Sequence, residues 1–111
     1  MSLRRVVIFI LSLLLATPAL AGRSNQLASH PSPYLAMHGE DPVQWQEWGQ
    51  AAQQAAVKED KLLFISSGYF SCHWCHVMQR ESFSNPEVAA ILNKHFIPVK
   101  VDRELNPALD A

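Results

Sequence analysis

The feature that most constrains this chain is a short apolar run, Leu62-Leu63-Phe64-Ile65-Ser66, followed within a few residues by Cys72-His73-Trp74-Cys75-His76. A nearly continuous apolar run of this length, ended by Ser67-Gly68, reads as a strand covered on both faces. From Cys72 to about Glu81 neither Gly nor Pro interrupts the chain, which allows a helix. Ser84-Asn85-Pro86-Glu87 starts another, with a capping side chain, a proline in the first turn and an early acid. Val88, Ile91, Leu92 and Phe96 give that helix its buried side. Ile97 to Val101 reads as a second strand, in which Pro98 is tolerated only near the beginning or on an edge. Strand, helical crossover and strand predict a βαβ unit with parallel strands and a right-handed connection.

A C-x-x-C at the junction of the first strand and the crossover helix is the thioredoxin-like arrangement, so the expected fold class is α/β. Upstream, residues 22–39 hold Pro31, Pro33, two histidines and several serines without a helical period, and read as an extended lead-in. Tyr34, Leu35 and Met37 supply apolar groups that can tack it onto a core. Asp41-Pro42 has the chemistry of a helix start, Asp as N-cap and Pro at the first position. Trp45, Trp48, Ala52, Ala55 and Ala56 follow as one apolar stripe of a helix packed on a sheet. The charged stretch from Lys58 to Lys61 ends it. Asn106-Pro107 opens a further helix that is not completed by Ala111.

The first residues have a different character. Arg4-Arg5 precede an apolar stretch from Val6 to Ala16, Thr17-Pro18 break it, and Ala19-Leu20-Ala21 supplies a small-x-small site. A charged start, a short apolar core and A-x-A are the parts of a secretory signal, expected to span residues 1–21. The apolar core is shorter than the roughly 18 residues that a membrane span needs, so no stable insertion is expected after cleavage. Residues 22–111 are then the domain, and loss of Arg4 and Arg5 makes the formal charge of −1 more negative by two. A mildly acidic chain with scattered Lys and Arg has no footprint for nucleic acid. Nothing in it is repeated or of low complexity. A periplasmic or secreted location follows.

Export makes a structural disulfide the first thought, but Cys72 and Cys75 close a very small loop, and the stability a cross-link supplies grows with loop length. Chemistry explains the pair better. A thiol does redox work as its thiolate, and a helix N-terminus lowers the thiol pKa through unpaired N–H groups and the dipole. Cys72 would occupy that place as the nucleophile, with Cys75 as the resolving thiol. His73 and His76 flank the pair and, when protonated, would stabilise a thiolate; otherwise they are partly solvated helix residues. C-x-x-C-H is also the attachment signature of c-type haem, with Met78, His95 or His38 as a distal ligand. Zinc held by the cysteines and one or two histidines is a third reading, weakened by the lack of a second C-x-x-C.

The chain as a whole resembles the DUF255 (YyaL-like) thioredoxin-like proteins. The likeness is carried by Asn25-Gln26-Leu27-Ala28, Ser32-Pro33-Tyr34-Leu35, His38, Asp41-Pro42-Val43, Trp45 and Trp48-Gly49. It continues through Gly68-Tyr69, the run from Ser71 to Met78, Arg80-Glu81-Ser82-Phe83 and the run from Val99 to Glu104. The resemblance implies a thioredoxin-like fold with Cys72 and Cys75 at its redox position, and it lowers the haem reading sharply because the family is not a cytochrome family; no cofactor or metal is expected. It also implies longer proteins, in which further strands, a cis-proline loop and a helical (α/α)-barrel region follow, so this domain reads as incomplete at its C-terminus. The expectation is an exported thiol–disulfide oxidoreductase, or the N-terminal piece of one, acting on protein or small-molecule thiols and disulfides. The alternative is a non-catalytic binding or accessory module on the same fold, or a metal- or haem-binding C-x-x-C-H protein.

Overall fold

A computed structural model describes residues 23–111, so the expected signal segment lies outside the described residues. Among the described residues no helix is long and apolar enough to cross a membrane. The elements are α1 (Pro33–Ala36), β1 (Gln46–Glu47), α2 (Gln50–Glu59), β2 (Leu62–Gly68) and α3 (His73–Met78). A π-helical turn (Gln79–Phe83) continues α3, and α4 (Pro86–His95), β3 (Phe96–Asp102) and α5 (Pro107–Asp110) complete the chain. The strands form one sheet of order β1-β3-β2, every pair parallel. β2 and β3 run in register from Leu62 beside Phe96 to Gly68 beside Asp102, the expected βαβ pairing.

The local chemistry at the start of α4 is as expected: the Asn85 side chain accepts from the N–H groups of Glu87 and Val88, and Pro86 needs no partner in the first turn. α2 ends at Glu59, with Asp60 as a left-handed C-cap (φ 52°) inside the charged stretch. Its start is a correction. The helix begins at Gln50 with Gly49 as N-cap, and Asp41-Pro42 opens no helix. Asp41 is instead a buried acceptor, as described below. Asn25 explains the irregular path there, since its side-chain amide donates to the carbonyls of His38, Asp41 and Val43 at 2.9–3.2 Å. The lead-in segment also contains the short helix α1, in which Ser32 accepts the Leu35 N–H. Tyr34 and Leu35 are buried and Met37 half-buried, so this segment is indeed tacked onto the core.

The predicted Trp45-to-Ala56 stripe divides between the two faces of the sheet. Trp45 is fully buried with Leu27, Tyr34, Leu35, Val43, Phe83, Ala89 and Leu92, against Phe64, Phe96 and Cys75. Ala52, with Ala55, Ala56 and Trp48, packs instead on Ile97, Val99, Val101 and Leu63. Alternation along β3 produces this division: Ile97, Val99 and Val101 face α2, and Lys100 faces the aromatic cluster. β3 is the central strand, with Pro98 at its third position and just before the two residues that β1 pairs. Pro98 is therefore near the beginning of a strand but not on an edge. β2 takes the edge, which leaves Leu62 and Ile65 exposed rather than covered on both faces.

The buried side of α4 is rotated from the sequence expectation: Ala89 and Leu92 are buried, whereas Ile91 is 58% exposed. Truncating Leu92 to Ala should cost about 2–5 kcal/mol, and truncating Ile91 under about 1 kcal/mol. Urea denaturation of the two variants reads the difference directly, and equal losses would contradict this orientation of α4.

Candidate redox site

The site is built where β2 stops. Gly68 is the last strand residue, the chain turns through residues 69–71, and the Cys72 N–H donates to the Tyr69 carbonyl at 3.1 Å. Cys72 has extended backbone (φ −76°, ψ 108°) and is the N-cap of α3. Its Sγ accepts the Cys75 backbone N–H at 3.2 Å, the role a serine or aspartate oxygen takes in an ordinary cap. A sulfur receiving an N–H bond at a helix start is stabilised as a thiolate, by the hydrogen bond and by the dipole together. Cys72 and Cys75, with Cα atoms 5.3 Å apart, are joined in a disulfide. Both are partly exposed.

The two histidines differ. His76 Nε2 donates to the Phe70 carbonyl at 2.7 Å, and its ring meets the Phe70 ring edge-on, so it braces the turn before the cysteines. His73 is exposed and lies edge-on to Trp74. Among the described residues, neither hydrogen-bonds a cysteine sulfur. Around the disulfide, Phe70, Trp74 and Met78 are 56%, 74% and 47% exposed and form an apolar rim. Beside it a cavity of about 240 Å³ is lined by Trp74, Cys75, Met78, Phe83, Ser66 and Lys100.

Beneath the disulfide lies a buried polar cluster that sequence reasoning missed. Asp41 accepts from His38 Nδ1 at 2.7 Å and Trp45 Nε1 at 2.9 Å through one oxygen, and from Gln79 Nε2 at 3.0 Å through the other. Burial holds His38 below the usual histidine range despite the Asp41 bond, so the ring is neutral, with the proton on Nδ1. The Lys100 ammonium donates to Ser66 Oγ at 2.8 Å and sits 4.8–5.5 Å from the Phe83, Trp45 and Tyr34 ring centres. Burial lowers its pKa to about 8, against the opposing pull of Asp41. Tyr34 is pushed up to about 12 by burial, then by Asp102 and Asp41. Asp102 in turn accepts from Ser32 Oγ at 2.7 Å. The signal for Lys100 was present in the alternation of β3, which places it on the Phe96 face next to Ser66 on β2.

Gly68 brings the two layers together. A Cβ at this position would lie 2.6 Å from Cys75 Sγ and collide with the Tyr34 hydroxyl, so only glycine lets strand, tyrosine and disulfide approach so closely.

The family model described as "Protein of unknown function, DUF255" (Thioredox_DsbH) matches residues 24–111. The chain belongs to this DUF255 family. Its fold is thioredoxin-like, with the Cys72–Cys75 pair at the strand–helix junction. The chain is similar to spermatogenesis-associated protein 20 of Rattus norvegicus, 48% identical over 93 residues that cover 84% of this chain and 12% of that protein. The Mus musculus protein of the same name is 50% identical over 93 residues, with the same coverage. The Homo sapiens one is 50% identical over 86 residues, 78% of this chain and 11% of that protein. The chain thus spans about an eighth of the length of the curated relatives it matches.

The buried ammonium of this DUF255 domain has a pH signature. A lysine whose folded pKa lies below its unfolded value penalises the native state most below both values, and the penalty is relieved as pH rises from about 8 to about 10.5. The disulfide form should therefore gain up to about 3 kcal/mol across that interval relative to Lys100→Met, which removes the titrating group. Urea denaturation of both proteins at pH 7 and pH 10.5 measures the difference, and parallel profiles would remove Lys100 as its source.

Proposed function

We propose that this chain acts as an exported thiol–disulfide oxidoreductase, or as the N-terminal part of a larger one, with Cys72 the attacked and attacking sulfur and Cys75 the resolving one. The observation that carries the reading is Cys72 as N-cap, with its sulfur accepting the Cys75 N–H inside a partly exposed disulfide. Haem attachment and zinc binding both need the sulfurs that the disulfide joins, which favours redox chemistry for the pair. The rim of Phe70, Trp74 and Met78 offers an apolar seat for a protein substrate.

In the reductive direction an external thiolate attacks Cys72 Sγ, the S–S bond breaks, and Cys75 leaves with the bonding pair as a thiolate. The substrate is then held on Cys72 as a mixed disulfide. A second substrate thiolate attacks the substrate sulfur of that bond, Cys72 leaves, and a substrate dithiol has become a disulfide while the protein pair has gained two electrons. Thiol compounds and proteins bearing paired thiols are the partners this reaction takes. Export rests on the pattern of Arg4-Arg5, the apolar stretch and Ala19-Leu20-Ala21.

Two measurements test these parts separately. With dithiothreitol as the dithiol, Cys72→Ser should lose exchange almost completely, by at least about a hundredfold, and Cys75→Ser given glutathione disulfide in place of dithiothreitol should accumulate a mixed disulfide on Cys72, with one glutathione thiolate released. Exchange undiminished in Cys72→Ser overturns the nucleophile assignment. Expressed in a bacterial host with a periplasm, the full chain should yield a mature protein that begins at Gly22 by mass spectrometry. A chain still beginning at Met1 in the cytoplasmic fraction overturns export.

A further inference from the structure

The Tyr34 hydroxyl has no role in the exchange steps above, and its state is unusual. The side chain is fully buried, and its oxygen has no hydrogen-bond partner among the described residues. A buried hydroxyl left unpaired costs on the order of 1–3 kcal/mol, so an acceptor that becomes available beside it is favoured by about that much. The space above Gly68 indicates where that partner arises. The Tyr34 hydroxyl and Cys75 Sγ both crowd the point where a Cβ on Gly68 would stand, the sulfur 2.6 Å from it. In the disulfide, Cys75 Sγ is bonded to Cys72 and is a poor acceptor. On reduction the S–S bond breaks and Cys75 receives the electron pair, becoming a thiolate or thiol with free lone pairs beside an unused O–H.

We propose that Tyr34 is the hydrogen-bond donor to Cys75 in the reduced protein, a bond absent from the disulfide form, so that its hydroxyl favours the reduced state and eases departure of Cys75 as leaving group. This deepens the oxidoreductase reading and rests on it for its catalytic meaning, though not for the hydrogen bond itself. The electron balance is that of the exchange reaction: two electrons come from an external dithiol, Cys75 takes the pair from the S–S bond, and the phenol keeps its proton. Burial raises the Tyr34 pKa to about 12, which keeps that proton in place at physiological pH. Lys100 lines the cavity beside Cys75 and, with one of its three N–H groups on Ser66 Oγ, is the competing donor, whereas the Tyr34 hydroxyl shares with Cys75 Sγ the point above Gly68.

Tyr34→Phe removes one oxygen and keeps the ring. The full chain is equilibrated with dithiothreitol at graded ratios of reduced to oxidised reagent until the ratio of the two protein forms no longer changes. That ratio is read by thiol alkylation and mass spectrometry. Tyr34→Phe should shift the equilibrium toward the disulfide by about five- to tenfold, equivalent to about 20–30 mV for a two-electron couple. The variant's dithiol form should lose more thermal stability than its disulfide form. An unchanged equilibrium, or equal losses in both forms, marks the hydroxyl as merely structural and overturns the proposal. A shift in Lys100→Met with none in Tyr34→Phe assigns the donor to the lysine and overturns it equally. Because the equilibrium is read at long times, a wild-type protein that exchanges too slowly for an enzyme defeats the oxidoreductase reading without obscuring this one.

Discussion

One buried carboxylate holds the layers of this domain in relation to one another. Asp41 collects donors from three places: His38 beyond α1, Trp45 before β1, and Gln79 where α3 widens into its π-helical turn. A carboxylate removed from water is costly unless its lone pairs are occupied. Here three directed bonds occupy them and leave the segment before the sheet little freedom to detach from the cysteine-bearing helix. The Gln79 amide reinforces the joint by also donating to the Met37 carbonyl at 2.8 Å.

Around it the aromatic side chains do two jobs at once. Trp45 and Phe83 meet edge to face with centres 4.9 Å apart, and Phe64 and Phe96 extend the cluster along the sheet. The same Trp45 and Phe83 rings, with Tyr34, surround the Lys100 ammonium, so their negative faces partly replace the water it lost. A core built only for stability would place an aliphatic residue at this inward position of β3. Keeping a cation there places a hydrogen-bond donor in the cavity that Cys75 also lines.

Much of this was legible in the residues because the relevant signals were local. The apolar run into β2, the uninterrupted stretch after Cys72, and Asn85-Pro86 at the head of α4 each act over a few positions, and each gave the expected kind of element, although β2 lies on the edge and the stretch after Cys72 turns π-helical at Gln79. The cysteine pair falls at the strand–helix junction for the same reason. What failed was non-local. Asp41-Pro42 has good capping chemistry, but the carboxylate is claimed by Gln79, distant in sequence, and the helix starts only after Gly49. Trp45 shares helical spacing with Ala52, yet a two-residue strand between them sends the two side chains to opposite faces of the sheet. Ile91 looked as buried as Leu92 because periodicity gives a face its width and not its orientation. Lys100 was hidden in an apolar strand, where its partners are rings contributed by three other segments.

The widened turn after α3 also acts as a phase adjuster. The Ser84 N–H bonds back to the Gln79 carbonyl at 2.9 Å, five residues away, so one more residue is accommodated than α-helical geometry would hold. In an α-helix each residue advances the direction of its side chain by about 100°. Closing the turn by deleting one residue would thus swing Phe83 and all that follows out of alignment with Cys72 and Cys75. The bulge lets the rim around the disulfide and the floor of the aromatic core answer to separate requirements. Trp74, Met78 and Phe83 line one cavity from the two sides of this turn, so a change in chain length here would disturb rim and core at once.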